Sequence, residues 1–322
     1  MGCRITEIPA ATIFNEKYRS FDIKEKKMNI LITGGTGFIG STLCSHLLKY
    51  KHDIVILSRH PEAIKAPAKG IANLDQLKDA VVFDVVINLA GEPIAGKRWT
   101  DQQKKLIVSS RIDTTKKLIA YFKTNEHKPK LLISGSAIGY YGISETNDIV
   151  DEEALGDNSF SSQLCQQWEE VASQATALGV RTCFLRTGIV LGKDGGALSK
   201  MLLPFKIGLG GRIGQGKQWM SWIHLDDLIG IILYCIDNED LKGVINGTSP
   251  NPVTNKIFTK TLGSVLKRPT IFPMPTVVVK LLMGEMGEEL LLKGKKILPV
   301  KVSEAGYRFR YEKLEEALLS VV

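Results

Sequence analysis

The first strongly patterned stretch is Ile30-Leu31-Ile32-Thr33, an unbroken β-favouring run that predicts a strand buried on both faces. Three glycines follow at a G-x-x-G-x-x-G spacing: Gly34, Gly37 and Gly40. Ser41 to Tyr50 then carries Leu43, Leu47 and Leu48 on one side, the period of a helix. Asp53 to Leu57 predicts a second strand, and Pro61 to Lys78 is too short for a full helix–strand–helix unit, so one crossover should be abbreviated. Val81 to Leu89 predicts another buried strand, ending in Ala90-Gly91. A helix should run from about 100 to 122, a strand from Lys130 to Ser134, a helix from Ser161 to Leu178 and a strand from Arg181 to Arg186. Residues 193–220 are glycine-rich and basic and predict loops and short elements around a substrate pocket. Trp222 to Asp227 opens an apolar helix to Ile236, with Asp226 or a neighbour as its cap. Beyond 244 come a short strand, helices near 254–267 and 275–293, and a terminal helix from Tyr311.

Strands alternating with helices predict an α/β chain: a Rossmann-type doubly wound parallel sheet with a smaller C-terminal substrate domain. Residues 1–27 show no periodicity and end in Lys24-Glu25-Lys26-Lys27, so they are expected to be a poorly ordered extension. The dinucleotide-binding domain should span 28–192, with 222–247 returning to it, and 193–221 plus 248–322 should form the substrate domain. Strand, glycine turn, then helix is the order a dinucleotide requires. A turn without Cβ atoms lets the backbone approach a pyrophosphate, which then meets the free N–H groups of the helix start. Ligands of such sheets lie beyond the carboxyl ends of the strands, so the ends near 34, 58, 90 and 134 should converge on one crevice. At the second of these ends, Ser58-Arg59 replaces the acidic residue that would bind a free ribose, and Arg pairs with a 2′-phosphate; this favours NADP over NAD. Ala90 and Gly91 are small enough to admit a cofactor ring.

Composition narrows the picture without changing it. With 322 residues, 44% hydrophobic and 24% charged, the chain can bury a large core. No apolar run approaches the roughly 20 residues that span a bilayer. The net charge of +8 is dispersed and accompanied by no nucleic-acid motif, so a solvated basic surface suited to phosphorylated ligands is expected. Five scattered cysteines (3, 44, 165, 183 and 235) have no metal-ligand spacing and predict reduced thiols in a cytoplasmic protein.

TGGTGFIG at 33–40, NLAGEPI at 88–94, SRIDTT at 110–115, SGSAIGYYG at 134–142 and WIHLDDL at 222–228 together resemble an extended short-chain dehydrogenase/reductase. More narrowly they are similar to its atypical branch, the epimerase-family or sugar-nucleotide-epimerase-like proteins, also known as cell-division-inhibitor homologues. The resemblance covers nearly everything from Met28 onward. It implies NADP contacts from Gly34, Gly37, Phe38, Ile39, Gly40, Ser58, Arg59, Leu89, Ala90 and Arg111. It also implies a small-molecule substrate such as a nucleotide-sugar; a homodimer is an open expectation.

One element of the superfamily pattern is missing. A Tyr followed four residues later by Lys normally supplies the acid–base chemistry, with a Ser or Thr from the preceding strand end. The matching stretch, 155–170, contains no Tyr and no Lys; Phe160 and Leu164, or Ser161 and Cys165, fall near the two positions. Ser136 retains the strand-end hydroxyl. Tyr140 and Tyr141 are candidate proton donors, with turn packing as the competing reading. His224 reads first as structural. Lys193 and Arg186 could hold a phosphorylated substrate, and Trp219 and Trp222 could stack on one. Two functions stand open: an NADP-dependent epimerase or reductase, or a catalytically weak NADPH-binding regulator that reports cofactor state to a partner.

Overall fold

The computed structural model describes residues 27–77, 81–143, 149–193 and 195–322; the expectation for residues 1–26 lies outside them. Its centre is a seven-stranded sheet. From one edge the strands run Gly243–Gly247, Arg181–Thr187, β5 (Leu131–Ala137), β4 (Val85–Asn88), β1 (Asn29–Thr33), β2 (Asp53–Leu57) and β3 (Lys69–Ile71). Every pairing is parallel. Chain order reverses between β1 and β4, which opens a crevice at their carboxyl ends.

The apolar runs explain the two layers. Ile30 and Ile32 of β1 face one buried cluster with Val85, Ile87, Leu131 and Ile133, whereas Leu31 faces a second with Val86 and Leu132. A strand buried on both faces needs this continuous hydrophobicity. Helix α1 (Phe38–Lys49) covers the first face with Leu43 and Leu47, and α2 (Asp101–Thr124) and α3 (Phe160–Ala177) cover the second through Leu118, Phe122 and Ala172.

Several boundaries differ from the sequence expectation. Val81 and Val82 stay exposed and β4 begins only at Val85. Between β2 and β4 lie two 3-10 turns, Pro61–Ala63 before β3 and Leu74–Gln76 after it, and no α-helix among the described residues. Within 193–220, where the sequence predicts loops and short elements, α4 (Gly196–Lys206) forms, with Leu198 and Phe205 buried two helical turns apart. The apolar helix after Trp222 is α5 (Leu225–Asp237), which His224 rather than Asp226 caps: the ring Nδ1 accepts from the Asp226 N–H at 3.0 Å. Beyond it come α6 (Asn255–Leu266), α7 (Thr276–Gly287), the π-turn Glu288–Leu292, α8 (Val300–Glu304) and α9 (Leu314–Leu319). No helix among the described residues is long and apolar enough to cross a membrane, and none of these residues forms a cluster able to hold a metal ion.

Candidate active site

The glycine turn closes on the end of β4. Gly34 adopts φ +70°, and a Cβ there would lie 2.6 Å from the Leu89 carbonyl oxygen, so this position requires glycine on both counts. A Cβ at Gly40 would overlap the Gly34 carbonyl oxygen. Gly37 is the residue before α1; its side-chain position offers no cap, and the first turn holds no acidic residue. The helix start is therefore bare, with its N–H groups and positive dipole end directed beyond the strands. Phe38 turns its ring against Gly192, Gly195 and Gly196, and Ile39 packs on the core, which leaves their backbone N–H groups for the crevice.

Below the turn a buried polar chain ties four elements together. Thr33 Oγ1 donates to Asn88 Oδ1 at 2.6 Å, and Asn88 Nδ2 donates to Thr115 Oγ1 at 2.9 Å. Trp168 Nε1 donates to the same threonine at 3.0 Å, and the Ala90 N–H donates to Thr33 Oγ1. These contacts fix the ends of β1 and β4 against α2 and α3. Arg111 lies against Gly91, where a Cβ would come within 2.8 Å of its guanidinium carbon, and sits 5.3 Å over the Trp168 ring. Burial lowers its pKa from the ordinary arginine value. Ser58 accepts from the His60 N–H at the end of β2, and the adjacent Arg59 is exposed, with no ion pair to any described carboxylate.

The candidate catalytic residues separate. Ser136 and Arg186 are lateral neighbours in the sheet and both meet Glu169 of α3. Ser136 Oγ donates to Glu169 Oε1 at 2.6 Å, and Arg186 grips the carboxylate through Nε and Nη2, each at 2.8 Å. The Arg186 guanidinium stacks 3.3 Å from the Tyr140 ring centre, and Tyr140 remains partly exposed. Arg186, only 2% exposed, is thus an internal strut committed to Glu169, where the sequence allowed it to hold a phosphorylated substrate. Tyr141 also departs from expectation. It is fully buried, donates to Asn246 Oδ1 at 2.7 Å, and burial pushes its phenol up to about 12. Trp222 is core, with Nε1 donating to the Asn251 carbonyl, while Lys193 stays exposed.

His224 is structural. Ser320 Oγ donates to the Ala317 carbonyl, so it accepts from His224 Nε2–H at 3.0 Å, while Nδ1 caps α5. Burial pulls the ring down to about 4, and both nitrogens are engaged in the neutral form.

The stretch that lacks Tyr and Lys carries something unforeseen. Glu289, from the turn after α7, accepts the Phe160 N–H at 3.1 Å, the Ser161 N–H at 3.0 Å and the Ser161 hydroxyl at 2.6 Å. One helical turn on, Cys165 is a buried thiol pushed up to about 11 by burial. It is neutral and cannot replace a lysine cation. Around Glu289, Trp99, Phe160, Met286 and Leu290 form one apolar cluster, and Lys104 pairs with Glu285. The 92–98 loop reaches in two directions: the Ala95 carbonyl accepts from Lys200 of α4, and Arg98 donates to the Leu281 carbonyl of α7. No short-range sequence signal points to Glu289, which lies 128 residues from Ser161.

A parallel sheet whose first βα turn is a glycine-lined, uncapped helix start defines an NAD(P)-binding type of fold. The chain belongs to the NAD dependent epimerase/dehydratase family, whose profile matches residues 30–246; a domain of unknown function (DUF1731) matches 274–321. It is 41% identical to the Arabidopsis thaliana "Epimerase family protein SDR39U1 homolog, chloroplastic" over 93% of this chain and 88% of that one. The Homo sapiens epimerase family protein SDR39U1 is 35% identical, over 92% of this chain and all of its own length (100%). A crystal structure of the human protein (isoform 2) with NADPH superposes with a TM-score of 0.82 at 34% identity, covering 91% of this chain and 99% of that one. A nucleoside-diphosphate sugar epimerase from Corynebacterium glutamicum follows at TM-score 0.74 and 27% identity, over 92% of this chain and 58% of its own.

Proposed function

We propose that the protein is an NADPH-dependent enzyme of epimerase or reductase type, acting reversibly on an alcohol or carbonyl of a small molecule, with a nucleotide-sugar as the expected class. The observation that carries this reading is Arg59, an exposed cation with no described ion-pair partner, at the strand end beside the bare start of α1. A 2′-phosphate is the group such an arginine recognises. The NADPH bound to the human relative supports the same choice.

In this reading Gly34, Gly37 and the N–H groups of Phe38, Ile39 and Gly40 hold the pyrophosphate, and Ser58 and Arg59 hold the adenosine phosphate. Leu89, Ala90, Gly91 and Arg111 line the nicotinamide half. The coenzyme supplies reversible hydride transfer when bound. The chain supplies orientation and protons. Ser136 commits its own proton to Glu169, so its oxygen is left as an acceptor that positions a substrate hydroxyl. Tyr140, its ring fixed by Arg186, is one candidate proton donor. The Ser161–Glu289 pair is the other, a hydroxyl and carboxylate within proton-transfer distance on the helix face that lacks Tyr and Lys. Residues 193–221 and 248–322 form the substrate side.

Isothermal titration with NADPH and NADH tests the reading. The wild type should prefer NADPH, and Arg59→Ala should lose about tenfold or more in NADPH affinity while NADH binding holds. Equal wild-type affinities defeat it. A second reading, a cofactor-responsive regulator with weak turnover, is favoured by the neutral Cys165 and the buried Tyr141. Tight NADPH binding with no oxidation across a panel of carbonyl and nucleotide-sugar substrates would select it.

A further inference from the structure

Away from the crevice, α6 and the loop after it border an open groove of about 310 Å³ lined by Arg212, Lys256, Thr259, Lys260, Thr270, Ile271 and Pro273, all but Thr259 and Thr270 exposed. It shares no residue with the coenzyme crevice and contains no carboxylate. Lys256 and Lys260 stand four residues apart on one helix, a like-charge spacing that destabilises a helix unless a counter-charge lies between. No described acidic residue pairs with either lysine or with Arg212.

Thr259 supplies the second, independent observation. It is 3% exposed, lines the groove, and its Oγ1 has no hydrogen-bond partner. Two residues on, Thr261 satisfies its hydroxyl on the Ile257 carbonyl at 2.9 Å, the ordinary habit of a helical threonine. A buried hydroxyl without a partner is unfavourable, and beside three lining cations its natural partner is an acceptor that carries negative charge. Ile271 and Pro273 add an apolar wall. The volume lies at the lower end of the range for small-molecule sites.

We infer that this groove is a second ligand site, for a phosphate or diphosphate group carried on a small apolar or ring-bearing body. Lys256, Lys260 and Arg212 bind the phosphate oxygens, Thr259 donates its hydroxyl to one of them, and Ile271 and Pro273 cover the attached body. A soluble metabolite and a lipid headgroup share this chemistry. The site does not depend on the coenzyme reading.

The test is calorimetry on the full chain with saturating NADPH present, so that the α1 turn does not compete for the probe. One arm titrates inorganic pyrophosphate; the other adds phosphatidic acid vesicles, with phosphatidylcholine vesicles as control. Saturable binding in either arm is expected, and the responding arm identifies the source. Lys256→Ala/Lys260→Ala should weaken it at least about tenfold, and Thr259→Val about threefold. Melting temperature should hold or rise, because each variant relieves an unfavourable feature of the empty site, and NADPH affinity should be unchanged, which separates loss of the site from loss of the fold. Absence of saturable binding in both arms, or binding that survives in the double-lysine variant, overturns the proposal. Failure of the coenzyme reading would show separately, in the NADPH titration itself, and pyrophosphate would then be titrated alone.

Discussion

Two helix starts face the same end of the sheet, and neither carries a cap of its own. At α1, Gly37 has no capping side chain and no acidic residue follows it in the first turn. At α3, Ser159 also makes no cap hydrogen bond, yet Glu289 arrives from far along the chain and takes two backbone N–H groups and the Ser161 hydroxyl. Each start presents unsatisfied donors and a positive dipole end. The protein satisfies one with its own carboxylate and leaves the other bare. A helix start left open amid glycines is open to a ligand anion; one filled from a distant segment couples that segment to the sheet.

The contrast is broken most sharply by adding a methyl group to the open start. Gly40→Ala pushes a Cβ into the Gly34 carbonyl, so NADPH affinity should fall by about a hundredfold or more, consistent with displaced cofactor contacts. Near-normal binding by calorimetry would show that the turn does not hold the coenzyme. At the filled start, Glu289→Gln keeps the shape and removes the charge. It should cost about 1–2 kcal/mol in chemical denaturation, leave NADPH binding intact and depress turnover. Unchanged turnover would remove Glu289 from the proton path and leave it a cap. Arg59→Ala follows, with its selective loss of about tenfold against NADPH alone.

The comparison extends to a third start, that of α5, which is capped by a side chain that titrates. His224 is neutral in the fold because burial lowers its pKa to about 4, while the unfolded chain protonates near 6.5. The unfolded state therefore binds the extra proton between those values. Stability is full above pH 6.5 and declines as pH falls towards 4, by an amount on the order of 2–3 kcal/mol. Thermal melts from pH 7 to 4.5 should show this decline, and His224→Asn should flatten it. An equal slope in the variant would assign acid sensitivity elsewhere.

What could be read from the sequence was local. The β1–turn–α1 unit, β2 with Ser58-Arg59 at its end, and the spans of α2, α3 and α5 all follow from short-range periodicity and glycine spacing. Where side chains are neighbours in sequence but diverge in space, the pattern was silent. Tyr140 and Tyr141 sit on one 3-10 turn; one ring stacks on Arg186 at the crevice side and the other is fully buried on Asn246. Helix α4 is hidden in the sequence because Gly192 and Gly195 before it, Gly196 at its first position, and Gly208, Gly210 and Gly211 after it, mask a Leu198–Phe205 stripe. Glu289 and Lys200 reach the site only through tertiary packing, and no spacing rule foretells that. The burial of Arg186 is illegible for the same reason, since its partner Glu169 lies on another element.

The missing crossover helix leaves a practical opening. Lys65, Ala66 and Pro67 form an exposed stretch where most doubly wound folds lay a packed helix, and they precede only the edge strand β3. Few interior contacts would be disturbed by extra chain there. A fluorescent reporter or an affinity handle spliced between Lys65 and Ala66 should therefore leave the scaffold standing, making this bend a convenient port for watching the molecule at work.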